Sequence, residues 1–249
     1  MATLKVALDA GHYLETPGKR CSKSIDPAET REWVLNDRVA RLVEELLAGY
    51  EDVETLRVDD PTGQKDVSLS VRVKRANEWG ADIYISIHHN AGINGGSGGG
   101  IVVYCCPNAS KASVELRDKL YEALIRHTGL KGNRADGTAE SNHYVTKHTS
   151  MPAVLLELGF MDSSTDVPII LTDAFAESCA NAIVEVIVQQ ESLVPKTTVP
   201  ESAKDTPDAW AQKAWSAAFA AGVMDGTRPH DPVTRQELAQ VLFNLGAVK

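Results

Sequence analysis

Leu4-Lys5-Val6-Ala7-Leu8-Asp9-Ala10-Gly11-His12 is a short apolar run that stops on an imidazole. Two later runs behave alike: Ile83-Tyr84-Ile85-Ser86-Ile87 stops on His88, and Ala153-Val154-Leu155-Leu156 stops on Glu157. Short runs rich in Val, Ile and Leu read as buried strands of a mostly parallel sheet. In open sheets of that kind, chemistry sits just beyond the carboxyl ends of the strands. Two imidazoles and a carboxylate at three such ends point to one metal-centred site. Zinc accepts imidazole nitrogen and carboxylate oxygen and, in catalytic sites, keeps a position for water. Spacing alone leaves the matter open. The three residues form no local motif such as H-E-x-x-H, and a strand-end histidine is commonly a hydrogen-bonded surface residue.

Working outward, helical and strand patterns alternate. After the first strand comes a loop with Pro17, Gly18 and Pro27, then a helix from a Thr30 cap to about Ala48. Its inner face carries Val34, Leu35, Val39, Leu42, Val43 and Leu46. Val53 to Val58 reads as a strand, and Ser68 or Ser70 opens a helix to Trp79. The glycine-rich stretch Asn94 to Gly100 follows the His88 strand. Ile101 to Cys106 is a further strand, Lys111 to Thr128 an amphipathic helix, His143 to Thr146 and Ala153 to Glu157 two more strands, and Ala174 to Gln190 a closing helix. This alternation predicts a three-layer α/β domain over residues 1–190, with a twisted, mostly parallel sheet of about six strands flanked by helices. The glycine-rich stretch has neither G-K-[ST] nor G-x-G-x-x-G opening a helix, which argues against a nucleotide cradle.

The formal net charge of −9 argues against charge-driven nucleic-acid binding. No stretch approaches the roughly 20 apolar residues of a membrane span. The N-terminus shows no basic segment followed by an apolar stretch, so the expectation is cytoplasmic synthesis without a standard signal peptide. Cys21, Cys105, Cys106 and Cys179 form no C-x-x-C pair and read as free thiols.

From Glu191 the composition changes. Pro195, Pro200 and Pro207 among polar residues mark a linker over 191–207. Residues 208–249 then read as a small α-helical hairpin module. Asp208 caps a first helix bearing Trp210, Ala214, Trp215 and Phe219, and Gly222 ends it. Thr234-x-x-Glu237 has capping-box form before Leu238, Val241, Leu242 and Leu245. A piece this small is expected to associate with a copy of itself or dock on the first domain.

Four segments carry a resemblance to a known family. Leu8-Asp9-Ala10-Gly11-His12 resembles the opening motif of the zinc-dependent N-acetylmuramoyl-L-alanine amidases, the amidase type 3 family. Glu32 with Asn36 is similar to its E-x-x-x-N, Ser86-Ile87-His88-His89-Asn90-Ala91 to its S-I-H-x-N-A, and Pro152 through Phe160 to its P-A-V-L-x-E-x-G-F. The resemblance covers residues 4 to about 190 in the right order. It implies Zn2+ as cofactor, with His12, Glu32 and His88 as ligands and Glu157 as the catalytic carboxylate. It implies peptidoglycan as substrate and hydrolysis of the amide between the muramic acid lactyl group and L-alanine. Leu158 departs from the small polar residue common there.

Around these, Asn90 and Arg134 are candidate substrate-binding residues; Arg134 can pair with a stem-peptide carboxylate. Asp9 is a candidate partner of His12. His89 should point away from His88, to the surface, and His143 and His148 read as structural or solvated. Asp225-Gly226-Thr227-Arg228-Pro229 and Val233-Thr234-Arg235-Gln236-Glu237 resemble pieces of a single S-layer-homology repeat. That implies a secondary cell-wall polysaccharide as ligand, completed by self-association. The expected function is a phage-endolysin-like peptidoglycan hydrolase reaching the wall after holin release. The alternatives are a sporulation mother-cell lysis amidase and, from another class, a non-catalytic wall-binding protein.

Overall fold

The computed structural model describes residues 3–133 and 137–196 and the helix Gln212–Ala220. The chain divides into two compact units, 1–196 and 197–249. In the first, β1 (Leu4–Ala10) leads through a long loop to α1 (Glu32–Leu47), then β2 (Val53–Arg57), α2 (Leu69–Trp79) and β3 (Ile83–Asn90). There follow β4 (Ile101–Cys105), α3 (Lys111–Thr128), β5 (Thr138–Glu140), α4 (Tyr144–His148), β6 (Ala153–Phe160), α5 (Val167–Ile170) and α6 (Asp173–Glu191).

The strands form one six-stranded sheet in the order β2-β1-β3-β6-β4-β5. Every neighbouring pair is parallel except β4 with β6. Side chains alternate across it, as the period of two requires. On one face Val6, Leu8, Ile83, Ile85, Ile87, Val154 and Leu156 join Val39 and Val43 of α1, Leu120 and Leu124 of α3 and Ile183 and Ile187 of α6 in the larger core. On the other, Ala7, Tyr84, Ala153 and Leu155 meet Val73 and Ala76 of α2 and Val145 of α4. The strands read as continuous apolar runs because helices cover both faces.

Helix ends follow local chemistry. Ser110 accepts from the Ser113 N–H at 3.1 Å, and Thr172 from the Phe175 N–H at 3.2 Å, each satisfying an otherwise orphaned donor. Gly80 and Gly129 end α2 and α3 with φ of 71° and 69°, the left-handed conformation that costs glycine little. The α1 cap is Arg31, not Thr30, and its side chain makes no capping bond.

The segment His143–Thr146, expected as a strand, forms the turn before α4 and its first residues. Val145 and Thr146 are buried, and the sheet position beside β4 is taken by Thr138–Glu140 instead. Four residues are too few to separate a period of two from one helical turn. Beyond α6, residues 192–196 run back along the domain. Glu51 N–H donates to Val194 O at 2.8 Å and Lys196 N–H to Gly49 O at 2.7 Å. These residues, read as linker, are held by the first unit. All four cysteines are free thiols. No helix among the described residues is long and apolar enough to cross a membrane.

In the second unit, α7 (Gln212–Ala220) is the described element. Trp210, Gly222 and the repeat-like pieces from Asp225 to Glu237 lie outside the described residues.

Candidate metal centre

β1, β3 and β6 are adjacent and parallel, so their carboxyl ends open on one side of the sheet. β1 ends at Ala10, and the Gly11 N–H donates to Ile87 O at 2.9 Å, which ties the first strand's exit to the second. Gly11 has no side chain for a reason: a Cβ there would collide with the His88 ring. His12 follows with φ of 68°, a conformation sparsely used by residues with a Cβ.

Arg72 of α2 holds that turn. It is 2% exposed and donates to Asp9 Oδ1 at 2.6 Å, Ala10 O at 2.8 Å and His12 O at 2.8 Å. Asp9 is itself buried and accepts from Tyr84 Oη at 3.0 Å and Ser86 Oγ at 2.8 Å. Asp9, the candidate partner of His12, therefore supports it through Arg72 and the backbone. Burial favours a neutral Asp9, but the Arg72 charge and these bonds outweigh it and hold the carboxyl below its usual 3.8.

Glu32, the first residue of α1, brings the third donor from the opposite face. It is fully buried. Its Oε1 lies 3.0 Å from His88 Nδ1 and its Oε2 3.4 Å from His12 Nε2. His12, Glu32 and His88 each offer one ligand atom, all within 4.8 Å of one another. Glu32 Oε2 is buried without a hydrogen-bond partner among the described residues, with only the ion-pair contacts of Lys19 Nζ at 3.5 Å and His12 Nε2 at 3.4 Å beside it, so it retains acceptor capacity for a further partner. Two imidazoles and that carboxylate oxygen fit a zinc ion in donor type and number.

Burial works against the charged form of Glu32, yet the hydrogen bond with His88 and the positive groups around it bring its pKa down to about 2. His12 is pushed down to about 4, first by burial, keeping its imidazole neutral and its lone pair available. Burial alone would lower His88 too, but its bond to Glu32 raises it.

His89 is 2% exposed and faces α1, not the surface. α1 covers that side of β3, so the residue that points away from His88 is enclosed. Asn36 donates to Gly11 O at 3.1 Å, leaving its oxygen to accept from His89 Nδ1 at 2.8 Å. The His89 N–H also donates to Glu32 Oε1 at 3.2 Å. Asn36, four residues after Glu32, so joins α1 to both strand ends.

Glu157 lies directly opposite His88 in the β3–β6 ladder. Its Oε2 is buried without a hydrogen-bond partner, and burial pushes its pKa up to about 7. Such a carboxyl is poised for proton transfer near neutral pH. Asn90 ends β3, where its side-chain oxygen accepts from the Ala91 N–H at 2.8 Å; it makes no hydrogen bond to the cluster among the described residues. Arg134 lies outside the described residues.

A cleft beside the donors is lined by His12, His88, Arg72, Leu69, His143 and Tyr144, among others. Arg72 is the functional residue that sequence reasoning missed. The available signal was an arginine four residues before Ala76, on the buried stripe of α2.

The comparisons agree with this geometry. The chain is 32% identical over 177 residues to the N-acetylmuramoyl-L-alanine amidase CwlM of Bacillus licheniformis, covering 71% of this chain and 64% of that protein. It is 29% identical over 188 residues to the endolysin of Bacillus phage SPP1, covering 73% and 65%. A sporulation-specific N-acetylmuramoyl-L-alanine amidase of Bacillus subtilis matches at 29% over 178 residues, covering 71% and 64%. The chain thus spans slightly under two thirds of the length of these relatives. Among solved structures, an N-acetylmuramoyl-L-alanine amidase from Clostridium difficile 630 superposes with a TM-score of 0.69 at 25% identity, over 77% of this chain and 98% of that one. The catalytic domain of CwlV from Bacillus (Paenibacillus) polymyxa var. colistinus gives 0.66 at 26%, over 76% and 99%. The family model for N-acetylmuramoyl-L-alanine amidase matches residues 6–189, and with the strand-end cluster inside that span the chain belongs to this family.

Proposed function

We propose that this protein is a zinc-dependent peptidoglycan hydrolase that cleaves the amide between the N-acetylmuramic acid lactyl group and L-alanine. The observation that carries the reading is the convergence of His12, Glu32 and His88 on one point, with Glu157 opposite His88 in the β3–β6 ladder. His12, Glu32 and His88 would hold the zinc ion. Bound there, zinc would lower the pKa of water and polarise the scissile carbonyl.

The chain's own residues do the rest. Glu32 supplies a charge that needs no deprotonation at neutral pH. Arg72 and Asp9 hold the His12 turn, and Asn36 and His89 hold the strand ends, so the donors are arranged in advance. Glu157 accepts a proton from the attacking water and returns it to the nitrogen of L-alanine as the amide breaks. Replacing Glu157 by Gln keeps the shape and removes the base. The expected outcome is a loss of about 10²- to 10⁴-fold in release of alanine amino groups from purified wall, with zinc content unchanged. Wild-type rates in Glu157→Gln would remove Glu157 from the mechanism.

Both an endolysin and a sporulation amidase match at 29% identity. A holin gene beside the coding sequence would support the lytic phage setting, which we take as the working one. Residues 208–249 are proposed to bind a secondary cell-wall polysaccharide as a self-associated module, on the strength of their repeat-like sequence. Light scattering of the full chain tests this: a strictly monomeric protein at high concentration contradicts it.

A further inference from the structure

His143 plays no part in that account, yet its placement is unusual. It stands at the N-cap of α4 with its half-buried ring on the cleft wall that also carries His12 and His88. The ring packs edge-on against Tyr104, with centroids 5.0 Å apart and planes at 90°. Tyr104 of β4 lies opposite Leu155 of β6, and Glu157 is the next residue along β6 on that face. Two residues of strand span roughly 7 Å. His143 is therefore fixed over the sheet face on which Glu157 and His88 end.

The two ring nitrogens differ. Nδ1 is enclosed and has no hydrogen-bond partner among the described residues. Nε2 is not enclosed in that way, and the residue lines the cleft. A neutral imidazole carries one proton, and its neighbours decide which nitrogen holds it. A buried N–H without an acceptor is among the costlier things to leave unmade. The proton therefore belongs on Nε2, which can reach water or ligand. Burial, and then the nearby His88, hold His143 below its ordinary pKa, consistent with a neutral ring.

Resting on the amidase reading above, we propose that His143 is a catalytic residue whose Nε2–H donates to the scissile carbonyl oxygen as negative charge develops on it. Tyr104 sets the ring plane, and the enclosed Nδ1 sets the tautomer. A neutral donor aimed at a developing oxyanion lowers the barrier without a proton changing hands.

The test has two arms. Two-bond 1H–15N correlation spectra of the zinc-loaded protein at neutral pH report the tautomer without reference to activity; the expected result is Nε2–H, and an Nδ1–H or doubly protonated ring overturns the proposal. In kinetics, His143→Phe keeps a ring against Tyr104 and removes the donor, while His143→Gln restores an N–H near the position of Nε2. The expectation is a fall of about 10²- to 10³-fold in kcat for His143→Phe, with KM and zinc content little changed and most of the rate recovered in His143→Gln. A wild-type kcat in His143→Phe, a loss confined to KM, or no recovery with Gln overturns the assignment. If the wild-type protein releases no alanine amino groups, the amidase reading itself fails and this proposal falls with it. That outcome is distinguishable because it appears before any His143 variant is made.

Discussion

Gly11 and Arg72 show how much of the candidate centre depends on residues that bind nothing. A side chain at Gly11 would occupy the space of the His88 ring. Gly11→Ala should therefore displace His88 and weaken zinc binding about 10- to 100-fold, in the range for residues that support ligands. Competition with a chromophoric chelator measures this, and unchanged affinity would mean the ring has room to move. Arg72 and Asp9 form a pair with exposures of 2% and 1%. Replacing Arg72 by Met strands the Asp9 carboxylate, at a cost of about 3–5 kcal/mol, read as a lowered urea midpoint. The same pair sets an acid limit. Asp9 is held below 3.8 in the fold, so the unfolded chain takes up its proton first. Its contribution to stability is present above about pH 3.8 and is lost as pH falls through the lower folded value. Urea titrations between pH 5 and 2.5 should show this loss in the wild type and much less of it in Asp9→Asn.

At the scale of elements, what could be read early was whatever repeats over many residues. β1, β3, β6, α1 and α3 follow from apolar runs and amphipathic stripes. The runs place His12 just beyond β1 and His88 and Glu157 toward the carboxyl ends of β3 and β6, although those two strands continue past them to Asn90 and Phe160. They do not place Glu32: it comes from the far face of the sheet, and only the family resemblance pointed to it. Elements of three to five residues misled. His143–Thr146 looks extended but turns into α4, and Thr138–Glu140 gives no periodic signal because a ladder partner, β4, makes it a strand. His89 was expected at the surface because alternation tells which way a side chain points, not what covers that face. Arg72 escaped because a charged residue on an apolar stripe reads as an exception until Asp9, Ala10 and His12 are brought to it by folding. Capping is a testable element-scale cause: Thr172→Ala should cost about 1 kcal/mol by removing the bond to Phe175, seen as a lower thermal midpoint.

At the scale of the whole molecule, a sheet covered on both faces leaves its strand ends as the place where polar side chains can gather. Helix α1 sends Glu32 there from one face, and α2 and α4 wall the cleft from the other. The cluster so formed is proposed to hold zinc and to cleave the lactyl–alanine amide. The most direct test is mass analysis of purified peptidoglycan treated with the protein as prepared, after chelation, and after zinc is restored. Stem peptides with free N-terminal alanine and intact glycan strands are expected, lost on chelation and recovered with zinc. New reducing sugar ends, cuts within the stem peptide, or full activity in the chelated protein would contradict it.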